Sequence, residues 1–376
     1  MPETTKPLRI LHAVRAPVGG IFRHIIDVAN GQADRGHEVG ILADSLTGGE
    51  RAEAALKAIA PRMKLGTYRL PIHREPHPGD ALIARKFLGL ARQLKLDVLH
   101  GHGAKAGVFV RLKGKSKKII RVYTPHGGSL HYPPDTLKGA VYSRMERALM
   151  NRTDLFLFES AFARDTYQRV IGKPTGPVHC VFNGVTAAEF DPVIPADDAT
   201  DLVYVGEFRR IKGADLLIEA VARLRADGNP VTLTLAGDGE ETAALKAQVQ
   251  QLKLGDAVRF IGHVKPRYGF SKGRLLIVPS RGDSMPYVVI EAAAAGVPML
   301  AARIGGIPEI FGPHEDALFA GNSIGAMADA IEAALADLET ARARAKDLRE
   351  RIFVHFSQKA MVDGVLAGYR DTLGTD

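Results

Sequence analysis

Two acidic side chains, Asp283 and Glu291, have the type and spacing to bind hydroxyl groups beside a phosphate. Seven residues separate them in a segment that passes from an apolar strand through a turn at Gly282 into a helix beginning near Met285. One carboxylate therefore lies at the helix mouth and the other two turns along. The unpaired N–H groups and dipole of a helix start favour phosphate, and carboxylates accept hydrogen bonds from ribose or sugar hydroxyls. Taken alone, the pair is also compatible with an N-cap Asp and a surface Glu.

A basic loop lies between a predicted strand that ends at Gly206 and a predicted helix that starts near Gly213. It contains Arg209, Arg210 and Lys212. A guanidinium can hold a pyrophosphate through two hydrogen bonds, and an ammonium adds a point charge. We predict an anion-binding loop that uses Arg209, in preference to Arg210, and Lys212.

Three histidines follow predicted strands in the first half. His126 lies in the loop Thr124-Pro-His-Gly-Gly128, and His100 and His102 end the preceding strand. We expect His126 to project from the sheet edge. His100 and His102 fit a structural role and the lining of an acceptor site equally well, and Lys105 follows them as a further acceptor candidate. We predict no metal site, because no Cys or acidic partner lies at ligand spacing.

Glycines follow three of the predicted strands. Gly19 and Gly20 precede a helix, where main-chain N–H groups can approach a phosphate or a sugar. Gly206 and Gly237 stand in similar turns, which are weak signals alone. No full dinucleotide fingerprint follows the first strand, which argues against an oxidoreductase.

Short apolar runs alternate with longer amphipathic stretches along the chain, which indicates βα units and parallel sheets. The strands are predicted at residues 8–14, 39–43, 97–100, 119–124, 155–158 and 178–182, then at 202–205, 231–236, 258–261, 275–278 and 299–301. Helices are predicted at residues 21–35, 137–150, 214–225, 240–252 and 288–295, with helical stretches at 323–351 and after 357.

Length and charge both favour two domains. The 376 residues exceed what one core usually serves, and net charge is +13 over residues 1–190 but −5 over the rest. The basic half fits an anionic membrane surface or acceptor and an ordinary solvated surface equally well. No RNA-binding or zinc-finger motif points to nucleic acid. The single cysteine, Cys180, is expected to be a buried strand thiol in a reducing cytoplasm. We expect neither a signal peptide nor a membrane-spanning helix.

The segment from Ser280 to Pro298 resembles the signature of glycosyltransferase family 4, retaining enzymes of the GT-B fold that include bacterial cell-surface polysaccharide and lipopolysaccharide types. Its frame of Pro-Ser…Glu-Ala-x-Ala-x-Gly-x-Pro is matched here, and Lys212 and Gly213 match a second motif. Asp283 stands where the family usually has Glu, and Glu207 where it has Arg.

The resemblance implies a role for each matched position. Glu291 would bind the nucleotide ribose, and Asp283 with the backbone of Ser284, Met285 and Pro286 would bind the donor sugar. His126 would contact that sugar, and Arg209 would supply the guanidinium missing at position 207. The remaining donor contacts would come from Gly19 and Gly20 over the diphosphate, from Gly206 and Gly237, and from the backbone at His263 near the nucleobase. Transfer would need no metal cofactor, since no Asp-x-Asp motif is present.

We therefore expect an α/β protein with two Rossmann-like, doubly wound parallel-sheet domains facing across a cleft. The acceptor domain would span 1–190, a Pro- and Asp-rich linker 191–201 and the nucleotide-sugar domain 202–355. A helix at 356–376 would be able to cross back to the first domain. The expected activity is retaining transfer of a hexose from a nucleotide diphosphate sugar, with UDP or GDP, to a hydroxyl. The alternatives are a nucleotide-sugar-binding regulator with little turnover, and an inverting or phosphorylase-like transferase on the same fold.

The acceptor would be a glycan or a lipid-linked molecule in cell-surface polysaccharide synthesis. The basic run Lys113–Lys118 favours a cytoplasmic protein at the inner face of the cytoplasmic membrane, bound peripherally.

Overall fold

The computed structural model describes residues 6–112, 119–127 and 135–374, without the side chain of Lys138. Its contacts divide the chain into two compact units. Unit 1 contains the residues up to Asn183 and those from Gln358 onward, and unit 2 is Gly184–Ser357.

Unit 1 is built on a parallel sheet of seven strands in the order β3-β2-β1-β4-β5-β6-β7. The strands are β1 Arg9–Val14, β2 Glu38–Asp44, β3 Gly66–Leu70, β4 Val98–His102, β5 Ile120–Thr124, β6 Leu155–Phe158 and β7 Val178–Cys180. The chain order reverses between β1 and β4, and the register pairs His12 with His100 and Val14 with His102. Ligands of open parallel sheets bind at the carboxyl ends of the strands flanking such a reversal.

Helices connect these strands and cover the sheet. They are α1 Gly19–Asp34, α2 Gly49–Ile59, α3 Asp80–Gln93, α4 Ala104–Arg111, α5 Leu137–Met150 and α6 Ala161–Val170. The central strands are buried almost throughout, as expected for a sheet with helices on both faces.

Unit 2 repeats this architecture with six parallel strands in the order β10-β9-β8-β11-β12-β13. The strands are β8 Thr200–Val205, β9 Leu233–Ala236, β10 Val258–Gly262, β11 Gly273–Val278, β12 Met299–Arg303 and β13 Leu318–Ala320. The helices are α7 Ala214–Ala226, α8 Thr242–Gln251, α9 Pro266–Phe270, α10 Tyr287–Ala294, α11 Ile307–Phe311, α12 Ile324–Ala336 and α13 Leu338–His355. Here the chain order reverses between β8 and β11.

The last helix, α14 (Gln358–Leu373), belongs to unit 1. Its residues Met361, Val365 and Tyr369 are buried in one hydrophobic cluster with Ile10 of β1 and Val98 of β4. The helix α14 thus packs on the sheet of unit 1, although it follows unit 2 in the sequence.

The predicted α/β class with two doubly wound parallel sheets is confirmed, and every predicted strand is present within a few residues. The structure adds two short edge strands, β3 and β13, that the sequence pattern did not show. Cys180 does lie in a strand, but the prediction that it is buried is wrong, because β7 is an edge strand and the cysteine is exposed.

The stretch predicted as a linker, 191–201, runs along unit 2. The main-chain N–H of Val193 donates to the carbonyl of Ala295, and that of Ala196 donates to Ser271. Proline and aspartate prevent regular structure here but leave these main-chain contacts available. The units divide after Asn183 and Ser357, earlier than the expected boundary at 190 and two residues beyond that at 355.

Across the part of the chain that the structure describes, no helix combines the length and hydropathy needed to span a bilayer. The basic run Lys113–Lys118 lies outside the described residues.

Candidate functional site

In unit 2, the loop after β8 and the loop after β11 are fastened to each other. The N–H of Arg281 donates to the carbonyl of Ile211 at 2.8 Å. Gly213 has φ +75°, and a Cβ there would lie 2.0 Å from the carbonyl oxygen of Pro279. Only glycine combines this backbone conformation with so close an approach. The two loops flank the point where the strand order reverses, which is the expected ligand edge of the sheet.

The central feature of these loops is an ion pair between Lys212 and Asp283. Lys212 Nζ lies 2.6 Å from Asp283 Oδ2, and 28% of the lysine side chain and 15% of the aspartate side chain are exposed. One loop therefore places a cation, and the other an acceptor of hydrogen bonds, at a single accessible point. Two residues that the sequence singled out separately, 71 positions apart, are brought into contact.

A second ion pair, missed by the sequence analysis, supports the first. Arg281 donates to both carboxylate oxygens of Asp215 at 2.6 Å and also to the carbonyl of Arg210. Burial alone would raise the pKa of Asp215, but the hydrogen bonds from Arg281 lower it below its usual value. Arg281 stands within the segment that carries Asp283, and this closeness was the available signal.

Arg209 occupies a more open position. Half of its side chain is exposed, and it lies 3.7 Å from Glu207 and 3.9 Å from Glu240. These separations are too long for hydrogen bonds. The guanidinium thus stands between two carboxylates, one of which occupies the position where the family usually has arginine.

The glycines of this sheet edge are required by packing. A Cβ on Gly237 would lie 1.9 Å from the carbonyl oxygen of Gly206, so the turns after β8 and β9 touch through their backbones. A Cβ on Gly305 would lie 1.6 Å from the carbonyl oxygen of Asp283, which also accepts a hydrogen bond from Gly306. The glycine turn after β12 thereby fixes the backbone of Asp283.

The remaining predicted donor residues of unit 2 lie along α10 and at the sheet's far edge. Ser284 is half-buried, Met285 and Pro286 are buried, and Pro286 precedes the first turn of α10, which has no side-chain cap. Glu291 lies in the second turn. His263 is exposed after β10, two strands away from β8.

In unit 1, five histidines meet at the corresponding edge of the sheet. His12 comes from β1, His24 from α1, His100 and His102 from β4, and His126 from the residues after β5. The sequence analysis missed His12 and His24, because neither follows the end of a predicted strand. His126 has φ +50°, an uncommon conformation for a residue other than glycine.

A line of hydrogen bonds runs through this cluster from the surface to the core. His126 Nε2 lies 3.0 Å from His102 Nδ1, and His102 Nε2 lies 3.0 Å from His12 Nδ1. His12 Nε2 then lies 2.8 Å from the side-chain oxygen of Gln32, which is fully buried. His24 Nδ1 lies 2.9 Å from Asn183 Oδ1.

The surroundings of all five imidazoles favour the neutral form by lowering the pKa of each ring. Burial lowers the pKa of His12 and of His24 to about 4, against the opposing effect of their hydrogen bonds. Burial, followed by the charges of neighbouring histidines, lowers the pKa of His100, His102 and His126 well below the usual value. A protonated imidazole is unfavourable here, because it is removed from water and has only other imidazoles around it.

His100 is held within the core. Its Nδ1 lies 2.7 Å from the hydroxyl of Tyr369 and its Nε2 lies 2.8 Å from Thr124 Oγ1, and no part of it is exposed. Of the two roles left open by the sequence, these contacts favour the structural one.

A cavity of about 400 Å³ opens beside His102 and His126. It has mainly apolar walls, with basic groups from three of its residues. Its lining comprises Arg15, Ala16, Ile21, Arg74, Glu75, Pro76, His102, Gly103, Ala104, Lys105, Val108, Pro125, His126, Leu137, Val141, Tyr142, Met145 and Glu146. Lys105 is held at the wall by Asp80 and by the carbonyl of Glu75.

The cavity wall formed by α5 includes Glu146, which takes part in a buried ion pair. Arg111 pairs with Glu146 at 2.9 Å and lies 3.7 Å above the ring of Tyr123, whose hydroxyl donates to Glu146. The buried ion pair and the hydrogen bond from Tyr123 hold the three side chains in one geometry.

Gly19 and Gly20 are the first residues of α1, and both are exposed. Gly19 has φ +59°, and nothing lies within 4 Å of the place a Cβ would take. The N-cap residue Val18 offers no side-chain acceptor, so the first N–H groups of α1 have no side-chain cap.

Comparison with known proteins adds to this picture. A family model described as Glycosyltransferase Family 4 matches residues 18–189, and one described as Glycosyl transferases group 1 matches residues 187–351. The glycogen synthase of Mycobacterium tuberculosis (strain H37Rv) is 24% identical, over 94% of this chain and 91% of its own. N-acetyl-alpha-D-glucosaminyl L-malate synthase of Bacillus anthracis is 26% identical, over 92% of each chain. Among solved structures, Anabaena HepE in complex with UDP-glucose has a TM-score of 0.79 at 18% identity, over 97% of this chain and 100% of that one.

Proposed function

Since this chain belongs to glycosyltransferase family 4 and has the GT-B fold, we propose that it is a retaining transferase that moves a hexose from a nucleotide diphosphate sugar to a hydroxyl. The observation that carries the proposal is the contact between Lys212 and Asp283 at the reversal point of the second sheet. A donor of this class has an anionic diphosphate next to a neutral, hydroxyl-rich sugar. It therefore needs a cation and a carboxylate side by side.

Lys212 binds the diphosphate, with Arg209 closing over it from the open side of the loop. A hydrogen bond to a charged group contributes about 1.5–3 kcal/mol. The N–H groups at the start of α10 add the positive end of a helix dipole. Asp283 accepts hydrogen bonds from the sugar, and Glu291 from the ribose. The solved complex of HepE with UDP-glucose supports a uridine donor.

The same groups stabilise the leaving diphosphate as the bond to the sugar breaks, so we propose that transfer needs no metal ion. His126 orients the sugar as a neutral ring. Activity that persists after treatment with EDTA is the expected result, and activity restored only by Mg²⁺ or Mn²⁺ would refute this part.

The cavity of unit 1 supports an amphipathic acceptor. Its apolar walls suit a lipid or an unsubstituted sugar face, while Arg15, Arg74 and Lys105 suit a phosphate or carboxylate. We therefore favour a lipid-linked or anionic glycan acceptor of cell-surface polysaccharide synthesis, reached by a cytoplasmic protein at the membrane surface. Flotation with anionic vesicles at low salt tests this; equal recovery with neutral vesicles would count against it.

The donor site is tested first by thermal shift with UDP- and GDP-sugars. Stabilisation by one donor is expected for the native chain and should be lost in Lys212→Ala and reduced in Arg209→Ala. Lys346→Ala, at an exposed position in α13, is the matched control and should respond like the native chain. No stabilisation by any donor would contradict the proposal.

Turnover separates the proposal from its alternatives. Donor hydrolysis or transfer followed by NMR of the anomeric proton should show retention. Inversion would favour the inverting transferase. Formation of sugar 1-phosphate and nucleoside diphosphate when inorganic phosphate is added as the acceptor would favour the phosphorylase-like enzyme, and binding without any turnover would favour the regulator.

A further inference from the structure

Three histidines of unit 1 are arranged as ligands for a metal ion. One ring nitrogen each of His24, His102 and His126 lies within 4.8 Å of the other two. A second group with the same property, His12, His100 and His102, is less suited, because both ring nitrogens of His12 and of His100 already have hydrogen-bond partners. We propose that His24, His102 and His126 bind a divalent transition-metal ion of the Zn²⁺ class.

The hydrogen bonds fix which nitrogens are available. The oxygen of Gln32 accepts from His12 Nε2, so His12 Nδ1 is unprotonated and accepts from His102 Nε2. The lone pair of His102 is therefore on Nδ1, the atom that faces His126. The apo cluster holds one proton between these two rings, on His126 Nε2. A bound metal ion replaces this proton between the two rings, and the proton moves to Nδ1 of His126 or to solvent.

The tautomer of the third ligand, His24, is also fixed by a hydrogen bond. His24 Nδ1 donates to Asn183 Oδ1, which leaves the lone pair on Nε2. A ligating histidine is usually oriented by such a bond from its other nitrogen, and these partners affect affinity strongly. Asn183 plays this role for His24, and the pair of His12 and Gln32 plays it for His102.

One nitrogen–nitrogen distance is close to that of a tetrahedral centre, and the other two are below 4.8 Å. Two imidazole nitrogens bound to zinc at 2.0–2.1 Å are about 3.3 Å apart. His102 Nδ1 and His126 Nε2 are 3.0 Å apart, so their separation need grow by only about 0.3 Å, while both rings turn until their lone pairs meet at the ion. His102 and His126 also line the cavity, which gives the ion an entrance and leaves its fourth position open to water.

The donor set defines the class of ion. Three neutral imidazoles suit Zn²⁺, Co²⁺, Ni²⁺ or Cu²⁺, whereas Mg²⁺ and Ca²⁺ prefer oxygen ligands. The sequence analysis predicted no metal here for want of an acidic or thiol partner. Three imidazoles with an open fourth position are a sufficient zinc set without either.

The consequence for activity rests on the proposed function. An ion bound to His126 withdraws that ring from the donor sugar, so Zn²⁺ inhibits transfer, while transfer itself proceeds without it.

The site is tested by calorimetry with Zn²⁺ on tag-free chain from which metals have been removed, in the absence of any donor. One ion per chain is expected, with Mg²⁺ giving no signal, and Co²⁺ should give the intense visible bands of tetrahedral coordination. His24→Ala should abolish binding. His77→Ala is the control, because His77 stacks on His73 at 3.8 Å outside the cluster and should leave binding unchanged.

A milder variant keeps the test open if His24→Ala does not fold. Asn183→Ala retains all three ligands and should weaken Zn²⁺ about 10–100-fold. Undiminished binding in either variant that folds, or no saturable binding by the native chain, would overturn the proposal. Because binding is measured without donor, its failure is distinct from failure of the proposed transfer.

Discussion

Replacing Asp283 by asparagine should change the binding of nucleotide and of sugar in opposite directions. The carboxylate holds the amine of Lys212 at 2.6 Å, so the amine must be shared when a diphosphate arrives. Asp283→Asn frees the amine and removes a negative charge beside the phosphates. Full Coulomb attraction at this distance is several kcal/mol at an effective dielectric of about 20, but partial exposure reduces the net contribution to about 1 kcal/mol. UDP alone should therefore bind about fivefold more tightly.

The same substitution should impair transfer. A sugar hydroxyl that donates to a carboxylate contributes about 1.5–3 kcal/mol, so kcat/KM should fall roughly 10–100-fold. Calorimetry with UDP and kinetics with the identified donor measure the two effects. Asp283→Glu retains the charge and should resemble the native chain in both. Weaker or unchanged UDP binding by the asparagine variant would refute the account of the ion pair.

Three further changes test the surroundings. Gly237→Ala places a methyl group against the main chain of the β8 loop and should destabilise unit 2 by about 1–3 kcal/mol, whereas Gly255→Ala meets open space and should be neutral; equal melting temperatures would contradict this. Glu146→Gln leaves the guanidinium of Arg111 buried without a counter-charge, so we expect a loss of about 3–5 kcal/mol in chemical denaturation; a loss under 1 kcal/mol would show that the pair is unimportant. Glu207→Arg removes a carboxylate next to the diphosphate loop and should tighten UDP binding several-fold in calorimetry; unchanged affinity would contradict a position beside the phosphates.

The sequence predicted the elements whose pattern is strong. β6 and the later residues of β8 and β11 are continuous apolar runs, because helices cover both faces of a parallel sheet. β3 and β13 escaped prediction because they lie at sheet edges and are incompletely buried: all five residues of β3 are half-buried, and one of the three in β13 is buried. The burial of Cys180 was predicted wrongly for the same reason, since side chains of an apolar run at a sheet edge can remain exposed to solvent.

The site was predictable where a motif places groups at the end of a strand. Lys212 and Asp283 were found in this way, although their mutual contact was not. His12 and His24 carried no such signal, since His12 lies inside β1 and His24 inside α1 rather than after the end of a strand. Their grouping depends on the pairing of β1 with β4 and on the position of α1, which long-range contacts decide.

The place of α14 has a consequence for how the chain is made. Five residues of the cluster beneath the first sheet, from Met361 to Tyr369, come from this helix. They leave the ribosome only after the 174 residues of unit 2. At about 5–20 residues per second this delay is roughly 10–35 s. During that time part of one face of the first sheet lacks its cover, and unit 2, although it is synthesised later, can finish folding first.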